Sequence, residues 1–177
     1  MSASSQSESR FRAVNIAVMT VTDSRTEETD TSGKLLVERI QSAGHRVAEK
    51  LIVKDDRYEL RRELSRWIAD PAVEVIITTG GTGLTGRDVT PEAVRPLLDK
   101  EIDGFGELFR WISYQHIKTS TVQSRAIGGV ANGTLIFCLP GSNGACKDGW
   151  DEIIVHQLDG DHRPCNMIEI MPRLKER

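Results

Sequence analysis

The sequence predicts an α/β protein, a three-layer α/β/α sandwich built on a mostly parallel, mixed sheet. Five β-like runs interleave with stretches of helical period along the 177 residues, the alternation that generates strand–helix–strand units. Most runs are nearly continuous in apolar residues, as strands covered on both faces are. Asn132-Gly133, between the last two runs, is a hairpin signal, so one strand should run against the others. Several runs end in loops rich in glycine, hydroxyls and acids, at the edge where open α/β sheets place ligands.

Taken in order, residues 1–11 form a serine-rich tail without periodicity, expected to be disordered. Residues 12–165 make one domain, long enough for a sizeable core. Its first strand, 14–21, leads to Asp23, Ser24 and Arg25 and an acidic run; Arg25 suits either a phosphate or a surface ion pair. Thr31 or Ser32 can cap a helix reaching Ala43, with Gly44 as its stop and His45 in an exposed turn. Strand two spans 46–53. Asp56 reads as the N-cap of a helix over 57–69, and Asp55 stands beside it at a strand's carboxyl end.

Strand three, 73–77, enters a loop with four glycines in seven positions: 80, 81, 83 and 86. Glycines free the backbone for positive φ and close approach to a ligand. Thr90 can cap the next helix, with Pro91 in its first turn. Strand, glycine loop and helix N-terminus together make an anion site. The loop satisfies G-x-G-x-x-G from Gly81, but four residues then separate Gly86 from Thr90 and no acidic strand end follows, so a dinucleotide fold is rejected. A P-loop is rejected too, because Arg87-Asp88 replaces the Lys-Ser/Thr pair.

After a helix over 91–98, Gly104-Phe105-Gly106 is expected to break the chain before a helix over 107–114. Leu108, Trp111 and Ile112 there suit the core or a subunit interface, and Phe105, Phe109 and Trp111 suggest a subunit contact. Thr119-Ser120-Thr121 can cap a short helix carrying Ser124 and Arg125. The hairpin strands, 127–130 and 134–139, lead to Pro140-Gly141-Ser142, either a turn with a capping serine or a second phosphate loop. A helix over 145–158 follows, with Lys147 placed in its first turn against the dipole, as an anion would hold it. From Asp161 the chain is charged and irregular, with 166–177 a C-terminal tail on the surface or a neighbouring subunit.

Composition narrows the function. With 23 Lys+Arg against 26 Asp+Glu there is no basic field for nucleic acid. No apolar run is long enough for a membrane span. Cys138, Cys146 and Cys165 are odd in number, form no metal pair and read as small buried or half-buried residues of a cytoplasmic protein. His156 and His162 have no ligand-like spacing. There is no Ser-His-Asp or Cys-His set for acyl transfer. The loops instead suit a phosphate-rich substrate with Mg²⁺.

Thr78-Thr79-Gly80-Gly81-Thr82-Gly83, followed by Arg87-Asp88-Val89-Thr90-Pro91-Glu92-Ala93, resembles the signature of the MoaB/Mog family of molybdenum cofactor biosynthesis proteins. The resemblance continues in Gly104-Phe105-Gly106-Glu107, Thr119-Ser120-Thr121, Ser124-Arg125 and Leu139-Pro140-Gly141-Ser142, covering about residues 14–164. The length and Asp30-Thr31-Ser32-Gly33 resemble the MoaB branch. The resemblance implies molybdopterin binding, and in Mog-type enzymes adenylylation by Mg-ATP with release of pyrophosphate. It implies catalytic, Mg²⁺-holding roles for Asp55 and Asp88; Lys54 stands where the family usually has a proline, and counting to Leu64 aligns Asp55 rather than Asp56. Asp23, Ser24, Arg25, Gly80, Gly81, Thr82, Gly83, Glu107, Ser120, Pro140, Gly141 and Ser142 would bind substrate or nucleotide. The family implies a homotrimer or homohexamer. A non-catalytic molybdopterin carrier is the alternative, and an NAD oxidoreductase ranks far below both.

Overall fold

The computed structural model describes residues 9–176. Six strands form one sheet in the order β2-β1-β3-β6-β5-β4. β1 (Asn15–Val21), β2 (Arg46–Val53), β3 (Val75–Thr79) and β6 (Thr134–Leu139) are parallel. β5 (Ile127–Ala131) runs antiparallel to β6, and β4 (Lys100–Glu101) antiparallel to β5. The mixed, mostly parallel sandwich is therefore as the sequence predicts. β4, two exposed residues at the edge, carries no apolar signal and was not expected.

Alternation along β1 assigns the layers. Ile16 and Val18 pack with Leu36, Ile40, Phe109, Phe137 and Trp150 on one face. Ala17 and Met19 pack with Leu60, Leu64, Trp67 and Ala93 on the other. The first face is covered by α1 (Thr31–Ser42), α4 (Asp103–Ile117) and α5 (Asn143–Gly149). From α5 the helix continues through a π turn (Trp150–Ile154) into α6 (Val155–Gln157). The second face is covered by α2 (Arg57–Ala69) and α3 (Thr90–Val94).

Several local expectations are corrected. Asp30, not Thr31 or Ser32, caps α1: its carboxylate accepts from Gly33 N–H at 2.9 Å, from Thr20 Oγ1 at 2.8 Å and pairs with Lys50 Nζ at 2.8 Å, with no exposed surface. Thr90 lies inside α3, and its hydroxyl donates to Gly80 O at 2.9 Å instead of capping. Gly104 and Gly106 do not break α4. A Cβ on Gly106 would stand 2.6 Å from Ala126 O, so the glycine lets the helix approach the start of β5. Phe105 and Phe109 are core residues, 3% and 1% exposed, and no subunit contact; Trp111, at 65%, is exposed.

His45 is buried, not in an exposed turn: Val14 N–H donates to its Nδ1 at 3.3 Å and Phe11 and Trp150 flank the ring. The rings of His156 and His162, which showed no ligand-like spacing in sequence, sit 5.2 Å apart. Cys138 and Cys146 are buried as expected, while Cys165 is exposed. The expected N-terminal tail falls on residues 1–8, outside the described residues, and on residues 9–11. There Ser9 Oγ and Arg10 N–H donate to Asp161 at 2.6 and 2.7 Å. At the C-terminal end, α7 (Met167–Ile170) is capped by Asn166 and buries Ile168, so this end is helical rather than irregular. No helix among the described residues is long and apolar enough to cross a membrane.

Two outcomes follow from the burial of Asp30 and His45. Asp30→Asn should cost about 3 kcal/mol, because Lys50 loses its buried partner, read as a lower urea midpoint at unchanged slope. Burial, the largest cause, holds the His45 imidazole below its ordinary 6.5. A base with a depressed folded pKa adds stability above the unfolded value and loses it as pH falls. Melting temperature should thus drop from about pH 6.5 downward, and less so in His45→Gln, which keeps an acceptor for Val14 N–H.

Candidate functional site

Register brings the site together before any side chain does. Thr20 pairs with Thr79 and Thr79 with Leu139, so β1, β3 and β6 end level. Beyond β1 the chain crosses to β2 on one side, whereas β3 lies on the other, which opens a crevice between the loops after β1 and β3. A cavity of about 780 Å³ occupies it. One wall is made by the strand-end loops, the other by α4, the 3₁₀ turn after it (Lys118–Gln123), and α5.

The glycine loop is shaped by contacts that exclude a side chain. Gly80 has φ +106°, and a Cβ there would stand 2.2 Å from Val21 O. Gly81 has φ +69°, with Thr90 Oγ1 2.3 Å from the same position on it. Gly83 leaves room for Asp88, whose carboxylate would be 2.7 Å from its Cβ. Asp88 in turn accepts from Thr85 N–H at 2.9 Å and Thr85 Oγ1 at 2.8 Å, so its carboxylate is aimed by its own loop.

Arg125 holds this loop from outside. Its backbone N–H donates to Thr82 O at 3.1 Å, Nε to Gly83 O at 2.8 Å and Nη2 to Asp88 O at 2.9 Å, while the guanidinium also pairs with Glu92. Turning these carbonyls toward Arg125 consumes acceptors on one side of the loop. Neither this role nor that of Glu92 was read from spacing, since the partners lie more than 30 residues away.

The remaining predicted residues divide. Asp23, Ser24 and Arg25 follow β1. Asp23 accepts from the backbone of Asp55 at 3.2 Å and pairs with Arg87 at 2.7 Å. Arg25 donates to Ser32 Oγ at 2.7 Å and to Gly141 O at 3.2 Å, tying the loop after β6 to α1. Ser142 caps α5, accepting from Ala145 N–H at 3.1 Å. Ser24, Arg25, Asp55, Gly80, Gly81, Thr82, Gly83, Asp88, Ser120, Pro140, Gly141 and Ser142 all line the cavity. Asp23 and Glu107 do not. Glu107 lies in a separate groove with Arg95 and Arg110. Lys147 is exposed and outside the cavity lining. Ser113, His116, Gln123 and Asp148 also line it, and sequence reading missed them. Ending α4 at residue 114 left out His116 and Ile117, which continue the helix face of Phe109 and Ser113 along the cavity.

The cavity's electrostatics centre on Asp55. Burial raises its proton affinity most, and the negative charges of Asp23 and Asp88 add to that; Arg87 opposes them. A half-buried carboxylate beside two others lacks compensation, the condition a cation or a proton relieves. Backbone donors, hydroxyls and these carboxylates can together hold a phosphate-bearing ligand and a hard cation.

Comparison with known proteins agrees with this geometry. Residues 17–160 match the family described as "Probable molybdopterin binding domain". Molybdenum cofactor biosynthesis protein B of Escherichia coli K12 is 52% identical over 97% of this chain and 99% of its own. A crystal structure of a molybdenum cofactor biosynthesis protein B superposes with TM-score 0.81 at 47% identity, over 83% of this chain and 92% of that one. The tungsten cofactor synthesizing protein MoaB from Pyrococcus furiosus gives 0.73 at 37% identity, over 80% and 91%. With the motifs, the strand-end crevice and these likenesses in agreement, the chain belongs to the MoaB/Mog family of molybdenum cofactor biosynthesis proteins.

Proposed function

We propose that this chain binds molybdopterin in the strand-end cavity and adenylylates it with Mg-ATP. The observation that carries the reading is Asp55 and Asp88 lining one cavity with the glycine loop, Asp55 being short of positive charge. In the reaction an oxygen of the molybdopterin phosphate attacks the α-phosphorus of ATP. The bond from that phosphorus to the bridging oxygen of the β-phosphate breaks, pyrophosphate leaves with its electron pair, and a phosphoanhydride remains.

The chain's residues serve this chemistry by position. Gly81, Thr82 and Gly83 offer backbone N–H groups at a phosphate; Arg125 keeps the carbonyls of Thr82 and Gly83 turned away, and Thr90 N–H engages that of Gly81. Gly141 and Ser142 take the second ligand's phosphate end, with Arg25 fixing their loop. Asp55 and Asp88 present hard oxygens that fit Mg²⁺, which takes one or two carboxylates and completes its shell with substrate phosphates. Bound there, Mg²⁺ would neutralise the charge that develops on the phosphates. Family kinship also supports a cytoplasmic homotrimer or homohexamer, for which Leu108, Trp111 and Tyr114, all exposed on α4, supply an apolar face.

In a single turnover with molybdopterin and Mg-ATP, wild type should yield adenylylated pterin detectable by mass, and Asp88→Asn about 100-fold less or lower. Intact pterin binding without any wild-type product would instead leave a non-catalytic carrier. Because burial first, and the charges of Asp23 and Asp88 with it, raise the proton affinity of Asp55, acid should reduce product formation sooner than it would with an unperturbed carboxylate. The sign follows from Asp55 holding the cation only when ionised. In the empty protein burial and the charges of Asp23 and Asp88 penalise the ionised carboxylate relative to the unfolded chain, so Asp55→Asn should equal or exceed wild type in melting temperature at pH 7 while losing activity.

A further inference from the structure

The two walls of the cavity differ in chemistry, and the difference orients the substrate. The strand-end wall offers glycine backbone, hydroxyls and the Asp55 and Asp88 carboxylates, all suited to phosphates and a cation. The helical wall offers Ile117 as exposed apolar surface, backed by the buried Phe109 and Ser113, with Gln123 beside them. That is the composition of a slot for a flat ring: apolar sides and few polar groups to orient it. Bridging α4 to α5 on this wall is a second acidic feature, His116 Nδ1 at 3.0 Å from Asp148 Oδ1. The Asp148 side chain is only 14% exposed, yet it lines the cavity, so what exposure it keeps faces the ligand space.

Resting on the molybdopterin reading above, we propose that Asp148, held by His116, is a specificity-determining residue that reads the pterin ring, and that the adenine lies elsewhere. A carboxylate only accepts hydrogen bonds. It therefore selects a ring edge with two adjacent N–H donors. The 2-amino group and N3–H of a pterin form such an edge, the same fork that a guanidinium presents to a carboxylate. Each hydrogen-bonding edge of adenine places a donor beside an acceptor, and one of its atoms would meet the carboxylate with lone pairs opposed. His116 Nδ1 stands against one carboxylate oxygen at the helix–helix junction and biases the plane in which the ring enters. The phosphate end of the same molecule then reaches the glycine loop and Asp55 across the cavity.

The test is a binding cycle on the full chain with pterin and lumazine, followed by ligand fluorescence. Lumazine carries a carbonyl where pterin has its 2-amino group, so it lacks the paired donors. Wild type should bind pterin about tenfold or more tightly than lumazine, since a site built to pair with a donor rejects an analogue without it. Asp148→Asn should weaken pterin about tenfold, leave lumazine within about twofold, and leave Mg-ATP binding unchanged. His116→Gln keeps the carboxylate but not its hold, and should reduce the discrimination by a smaller factor. Equal weakening of pterin and lumazine in Asp148→Asn, or no change in either, would overturn the assignment while leaving molybdopterin binding intact. Failure of wild type to bind either ring would overturn it together with the reading on which it rests.

Discussion

One buried carboxylate organises the half of the molecule that carries the first strand-end loop. Asp30 has no exposed surface and is tied at once to β1 through Thr20, to β2 through Lys50 and to α1 through Gly33 N–H. Burial alone would favour its neutral form. Lys50, the Gly33 N–H and the Thr20 hydroxyl outweigh that and hold its proton affinity below the usual carboxylate range. Because an unpaired buried charge is so costly, the three elements must assemble together. Gly33 is obligatory for the same reason: a Cβ there would sit 2.1 Å from the carboxylate. The loop that this fixes delivers Ser24 and Arg25 to the cavity.

The opposite loop is disciplined by a second charged group acting on neutral partners. Arg125 bonds to carbonyls of Gly83 and Asp88 and through its backbone to Thr82 O. A glycine-rich segment loses much conformational entropy on ordering, and this fork offsets part of that loss without a side chain entering the cavity. Thr90 contributes from the other end through Gly80 O. The outcome is a loop whose carbonyls are engaged on one side, while Asp88 is aimed by Thr85 on the other.

Against this rigid frame the cavity itself carries unrelieved charge. Asp23 is partnered by Arg87, but Asp55 is left with burial and two like-charged neighbours against it. Stability and function therefore pull in opposite directions at that position, as they do wherever a site is built for a ligand's charge. The α1–β6 side is different: Arg25 is committed to Ser32 and Gly141, so its positive charge shapes the second loop as much as it faces ligand.

Much of this was legible in the residues. Continuous apolar runs located β1 and β6, alternation turning apolar located β2, Asn132-Gly133 located the hairpin, and Asp56 marked the start of α2, because each signal is local and its physics acts within a few residues. The glycine spacing and the acids at strand ends located the strand-end wall of the cavity for the same reason. What failed were assignments that depended on distant partners. Thr90 is a sound cap by type, but Gly80 O took its hydroxyl; His45 looks like a turn residue until Phe11 and Trp150 enclose it; Gly106 reads as a breaker until β5 approaches it. The helical wall, with Ser113, His116 and Asp148, was invisible because it exists only when α4 and α5 pack side by side. Local propensity determined the elements and the phosphate-type loops; tertiary packing decided which side chains face the cavity, since burial and pairing energies arise between segments that the chain order keeps apart.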